Sequence, residues 1–90
     1  MLIGEVTGSL WATRKDEKLN GWKFLVVKLH FNEGNNAKQY IVAADNAGAG
    51  VGDTVMITQG SSARASVGNQ TVPVDAVIVG IIDSIEMDHE

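Results

Sequence analysis

Val74-Asp75-Ala76-Val77-Ile78-Val79-Gly80-Ile81-Ile82 is the stretch that decides the fold. It is rich in β-branched residues and follows Pro73, whose missing N–H is tolerable at a strand start. Read as a strand, it places Val77, Val79 and Ile81 on one face and Ala76, Ile78 and Ile82 on the other. Both faces are apolar. Helices normally cover a strand that is dry on both sides, but nothing in this chain has the periodicity of a helix long enough to do so. The expected cover is therefore a neighbouring subunit.

The rest of the chain also reads as strands, because apolar residues recur with period two or in short runs between turn residues. Leu2 to Ala12 places Leu2, Gly4, Val6, Gly8 and Leu10 on one face, and its alternating glycines suggest close approach or sharp coiling. Trp22 to Phe31 places Leu25, Val27, Leu29 and Phe31 together, opposite Phe24, Val26, Lys28 and His30. Asn32 to Asn36 reads as a hairpin connection into a third strand, Lys38 to Ala44. Thr54 to Gln59 alternates around Val55 and Ile57 as a fourth strand, which Gly60 ends. Ser61 to Ala65 predicts one helical turn, capped by a serine hydroxyl and closed by Gly68. Five strands with glycine-coiled edges fit an all-β fold: a small, partly open five-stranded barrel of the oligonucleotide-binding type, an architecture and not a function. One domain covers residues 1–83, and residues 84–90 form an acidic tail.

Ninety residues form one domain, and a chain of this size buries only about 60% of the surface it exposes when unfolded. With no cysteine for disulfides or thiolate zinc sites, association is the remaining way to add stability. The opening Met1-Leu2-Ile3-Gly4-Glu5 shows no basic leader or signal-like apolar stretch, and no run reaches transmembrane length. A cytoplasmic protein without membrane contact is expected. The net charge of −4 repels phosphate backbones. It is uneven: residues 1–45 hold six Lys/Arg against five Asp/Glu, whereas residues 46–90 hold Arg64 against six acids.

Catalytic and ligand motifs are sparse. Gly48-Ala49-Gly50-Val51-Gly52 resembles a phosphate loop, but Asp53 leads straight into a strand and not into a helix whose amides could hold an anion. The structural reading is that these small residues let another chain approach the backbone. The only imidazoles are His30, in a strand, and His89, in the tail, so no triad is visible. Asp75 and Asp83 lie roughly 26 Å apart along a strand, too far for paired-carboxylate chemistry within one chain. A metal on Glu86, Asp88, His89 and Glu90 is weighed against an ordinary solvated charge run, and the latter is preferred. Arg64 suits a charge-assisted bond across an interface; its plainer reading is a surface arginine. Asn69-Gln70-Thr71 matches a glycosylation sequon, without meaning lacking a secretory signal. No cofactor or catalytic residue is expected.

The main rival reading is a module that binds single-stranded nucleic acid. Trp11, Trp22, Phe24, Phe31 and Tyr40, interleaved with Arg14, Lys15, Lys18, Lys23 and Lys28, could stack bases along a basic groove. Core packing accounts for most of these aromatics, and Asp16 and Glu17 weaken the field.

Several patches together resemble the EutN/CcmL family of microcompartment vertex proteins. They are Gly4-Glu5-Val6-Thr7-Gly8 with Trp11-Ala12-Thr13-Arg14-Lys15; Leu19-Asn20-Gly21-Trp22-Lys23-Phe24; Asp45 with Gly48 to Asp53; Gly60-Ser61-Ser62-Ala63-Arg64; and Pro73 to Asp83. The resemblance implies a non-enzymatic pentamer of barrel subunits, with a hexamer as the alternative count, plugging the corners of a shell whose facets are hexameric proteins. A head-to-tail ring accords with two unlike apolar surfaces on one subunit. On this reading Gly48, Ala49, Gly50, Val51, Gly52, Val77, Val79 and Ile81 form the subunit interface. Ser61, Ser62, Ala63 and Arg64 lie near the central axis, lining a narrow pore.

Overall fold

The computed structural model describes residues 1–11, 17–19, 21–30, 39–66 and 74–83, excepting the side chain of Ser61. Its elements are β1 (Leu2–Leu10), a 3-10 turn (Glu17–Leu19), β2 (Phe24–Leu29), β3 (Tyr40–Asp45), β4 (Thr54–Gln59), α1 (Ser61–Ser66) and β5 (Ala76–Ile81). The expected all-β, five-stranded barrel is present. The fourth strand has the expected bounds; the first, second and last are trimmed at one or both ends, and the third starts two residues later than expected and runs one residue further, to Asp45. Trp22 stays out of β2 because its amide donates to the Leu19 carbonyl, at 3.2 Å, and closes the preceding turn. The Asn32–Asn36 connection, Phe31, Gly68 and the sequon lie outside the described residues.

The barrel is closed, not partly open: strands run in the order β1, β2, β3, β5, β4 and back to β1. Closure depends on β1, whose nine residues pair with β2 through Gly4–Leu10 and with β4 through Leu2–Glu5. Gly4 lies in both ladders, and a Cβ built there would sit 2.7 Å from the Lys28 carbonyl oxygen and 2.5 Å from Cγ1 of Val27. Its missing side chain is what lets β1 coil tightly enough to serve two neighbours. The last seam, β3 with β5, is parallel and rests on two register pairs, Ala44 with Val77 and Asp45 with Ile78.

Inside the barrel, Val6, Leu25, Val27, Val55, Ile57 and Ile78 are fully buried and in mutual contact. The period-two readings for the second and fourth strands hold. The long alternations through the first and last strands do not. A bulge at Thr7 shifts register between Val6 and Gly8, so Leu10 stands opposite Phe24, on the outside, instead of sharing the inner face with Val6. A second bulge at Val79 sets Gly80 opposite Met56 and Ile81 opposite Val55, which splits the expected set Val77, Val79, Ile81.

The outer face of β5 also differs from expectation. Val77 is fully buried without any second chain, in an outer cluster with Ala44, Ala63 and Val74, against which Leu19, Trp22, Phe24 and Val79 pack. Ala63 belongs to α1, so a helix of six residues supplies the cover that the sequence reading assigned to a neighbour. Small residues make this possible, since Ala63 and Ala44 let α1 sit close to the sheet.

Candidate functional site

The glycine loop is organised by the two aspartates that bracket it. Asp45, at the end of β3, turns its carboxylate back to accept from the amides of Ala47 (3.0 Å) and Ala49 (3.0 and 3.2 Å). The side chain is 4% exposed and lies 3.8 Å from the Lys23 ammonium, which itself donates to the Ala49 carbonyl at 2.7 Å. Asp53 accepts from the Gly50 amide at 2.8 Å, while its own amide donates to the Gly50 carbonyl at 3.0 Å. The Gly52 amide donates to the Val6 carbonyl and the Val6 amide to the Asp53 carbonyl, both at 2.9 Å, fastening the loop to β1 just before its bulge. Glycine is required where the chain turns left-handed, at Gly48 (φ 76°) and Gly52 (φ 96°).

This architecture decides what the loop can do. The amides of Ala47, Ala49, Gly50 and Gly52 already donate within the chain, three of them to carboxylates. A phosphate arriving here would meet occupied donors and two negative charges. Ala49 is buried in the barrel core, so the loop is a plug in the barrel end. Only Val51 projects as a large apolar side chain, 69% exposed. The loop therefore offers a firm backbone with one apolar tip.

The residues expected at the subunit interface thus differ in availability. Gly48, Gly50, Val51 and Gly52 lie in the loop, with Val51 and both positive-φ glycines exposed, while Val79 is half-buried and Ile81 exposed on β5. Ala49 and Val77 are sealed inside the chain, and their side chains have no surface to offer a partner. Sequence periodicity could not separate these cases, because bulges and a small helix decide them.

Beside β5, Gly60 and not a serine occupies the N-cap of α1. Its carbonyl accepts from the amides of Ala63 (3.1 Å) and Arg64 (3.3 Å), and its own amide donates to the Asp75 carbonyl at 2.8 Å. At the other end Asn46 Nδ2 donates to the Ser66 carbonyl at 3.1 Å, tying the helix to the glycine loop. Ser62 is exposed and Arg64 half-buried, with no ion pair among the described residues.

Among the described residues, Trp11, Trp22 and Phe24 line one groove beside Lys23, and Tyr40 stands outside it. Trp22 and Phe24 are half-buried in the outer cluster, Trp11 and Tyr40 are exposed, and Phe31, Arg14 and Lys15 fall outside the described residues. Lys23 is engaged with Asp45 and Ala49. Asp75 and Asp83 are both exposed, and no cluster of three metal-ligating side chains occurs among the described residues, which exclude the tail.

Sequence reasoning missed an outward apolar face on β1, β2 and β3. Leu10, Tyr40 and Val42 are all exposed there. A signal was available: residues 40–44 read Tyr-Ile-Val-Ala-Ala, apolar on both faces as in the last strand.

Residues 1–83 match the family described as ethanolamine utilisation protein EutN/carboxysome. The carboxysome shell vertex protein CcmL of Nostoc sp. strain PCC 7120 is 46% identical over 89 residues, spanning 98% of this chain and 88% of that one. Among solved structures, that of Gloeobacter violaceus CcmL superposes with a TM-score of 0.87 at 42% identity, over 98% of this chain and 91% of its own. The GrpN pentameric microcompartment shell protein of Rhodospirillum rubrum superposes with a TM-score of 0.81 at 37% identity, over 98% of this chain and all of its own.

Proposed function

The chain belongs to the EutN/carboxysome family, and from that membership we infer that it is a shell vertex protein, five copies of which close a corner of a bacterial microcompartment. The observation that carries this reading is the end-to-end match to shell vertex proteins, one of them solved as a pentameric shell protein. The mechanism is geometric. Six-fold tiles make flat sheets, and a closed polyhedron needs five-fold units at its corners, so the protein works by matching shape and edge chemistry to hexameric neighbours. It is not an enzyme on this reading; its work is done by surfaces.

Within the ring, the glycine loop and the exposed end of β5 form one side of each subunit contact, through Gly48, Gly50, Val51, Gly52, Val79 and Ile81. Ala49 and Val77 support that side from within. Ser62 and Arg64 face the axis, whereas Ala63, expected there from the sequence, is fully buried against β5 and lines nothing; Arg64 has no intrachain ion partner among the described residues to compete with a neighbour's acid. Arg64→Ala should weaken assembly, measured as a rise in the protein concentration needed to hold the ring.

Co-expression with a hexameric shell protein tests the vertex role. Closed polyhedra should form with this chain present, and open sheets or tubes without it. Identical morphology in the two cases would sink the proposal.

A further inference from the structure

We propose that Lys23 is a positioning residue for ring assembly: its ammonium holds the Ala49–Gly50 peptide in one orientation and so aims Val51, the exposed tip of the glycine loop, at the neighbouring subunit. The proposal rests on the ring reading above, with the glycine loop in the contact, and adds what keeps that loop set for the contact.

The Ala49 carbonyl and the Gly50 amide belong to one planar peptide unit. Both of its polar edges are held by charged side chains. On one edge the Lys23 ammonium donates to the Ala49 carbonyl at 2.7 Å, across 26 positions of sequence. On the other the Gly50 amide donates to Oδ2 of Asp53 at 2.8 Å. Val51 follows directly, so the orientation of this unit sets the direction in which the tip leaves the loop. Lys23 comes no nearer than 3.8 Å to the Asp45 carboxylate, too far for a hydrogen bond. Its charge serves the carboxylate, and its hydrogen bond serves the Ala49 carbonyl. The Asp45 side chain is sealed from solvent while that of Lys23 is 55% exposed, so the cation grips the loop from the water side.

Gly50 shows why such a grip is needed. Gly48 and Gly52 have left-handed φ angles, but Gly50 does not, and a Cβ built there would meet nothing within 4 Å. Neither backbone shape nor crowding within this chain calls for glycine at that position. What the glycine does confer is freedom for the preceding peptide to turn over, since φ of either sign costs it little. Turning over would take the carbonyl from Lys23 and the amide from Asp53 together. Two charged side chains, one on each edge, thus restrain a unit that its own sequence leaves free to rotate. A counter-charge to the sealed carboxylate is the plainer role for Lys23. That role does not account for the 2.7 Å bond, which goes to a neutral carbonyl.

Lys23→Met and Lys23→Arg, made separately in the full chain, test the assignment. Native mass spectrometry over a dilution series gives the concentration at which half the chains are in rings. Amide hydrogen exchange is compared where all proteins share one oligomeric state. Lys23→Met should raise the half-assembly concentration by roughly tenfold, about the worth of one charge-assisted hydrogen bond. It should also speed exchange of the Gly50 amide, while the core amides of β1 and β4 exchange as in the wild type. Lys23→Arg, which keeps the charge and the donors, should assemble near the wild-type concentration. Should Lys23→Met fail to fold, Asp53→Ala frees the other edge of the same peptide and should raise the half-assembly concentration likewise. Unchanged assembly in Lys23→Met, or in Asp53→Ala, would overturn the proposal. So would a ring lost with Gly50 exchange unchanged, since Lys23 would then touch the neighbour itself, and so would equal loss in Lys23→Arg. Faster exchange throughout β1 and β4 would overturn it too, as a general loss of stability. A wild-type chain that forms no ring would instead defeat the ring reading, while Gly50 exchange would still judge the grip of Lys23 on the loop.

Discussion

Gly4 sets how tightly the barrel can close, because the position faces both neighbours of β1 and a methyl group there would run into the Lys28 carbonyl at 2.7 Å. Backbone cannot yield as a flexible side chain can. Gly4→Ala should therefore destabilise the fold by about 1–3 kcal/mol, the usual cost of overpacking, read as a lower denaturant midpoint. An unchanged midpoint would mean that β1 can shift freely. Asp45 is a second such residue: replacing it by Ala leaves the Ala47 and Ala49 amides without their acceptor and the Lys23 ammonium without its counter-charge. A loss of roughly 1.5–3 kcal/mol is expected for hydrogen bonds to a buried charge, with faster amide exchange at Ala47 and Ala49 as its local signature. The sequence showed the glycines of this loop but not the reason for their order. Asp45 and Lys23 lie 22 positions apart in the chain, and only the ladder between β2 and β3 brings them together.

Elements were legible where alternation was clean. Leu25 and Val27 on β2, and Val55 and Ile57 on β4, point inward as period two requires. The first and last strands defeated the same rule because each contains an extra residue, Thr7 or Val79, and each bulge directly precedes a glycine. Gly8 and Gly80 were thus the visible trace of the bulges, since glycine within a strand often marks one. The cover over Val77 was illegible for a different reason. A six-residue helix has too little length for a periodic signal, and its packing depends on Ala63 being small. Ala63→Leu has no space to occupy and should lift α1 from the sheet. Limited proteolysis near residues 61–66 should then cut the variant well before the wild type, while the strand signal of the barrel persists. Equal resistance in the two proteins would show that α1 is not held by this contact.

At the scale of the molecule, ninety residues bury a small core, and the isolated chain leaves Trp11, Val42, Val51 and Ile81 in water. The sequence reading anticipated that a neighbour must supply cover and placed that need on the glycine loop and the last strand; Val77 is already covered by α1, whereas Val51 and Ile81 are exposed, as are Leu10, Tyr40 and Val42 on the outer face of β1 to β3. Folding and assembly should accordingly be coupled, so the thermal midpoint should rise with protein concentration. A midpoint independent of concentration over a hundredfold range would contradict that coupling.

The central claim is a ring of five. Native mass spectrometry of the purified chain at micromolar concentration measures it most directly. With 9.6 kDa per subunit, five copies give a species of about 48 kDa, and that mass is the predicted result. A monomer near 9.6 kDa, or a ring of any other count, would contradict the account.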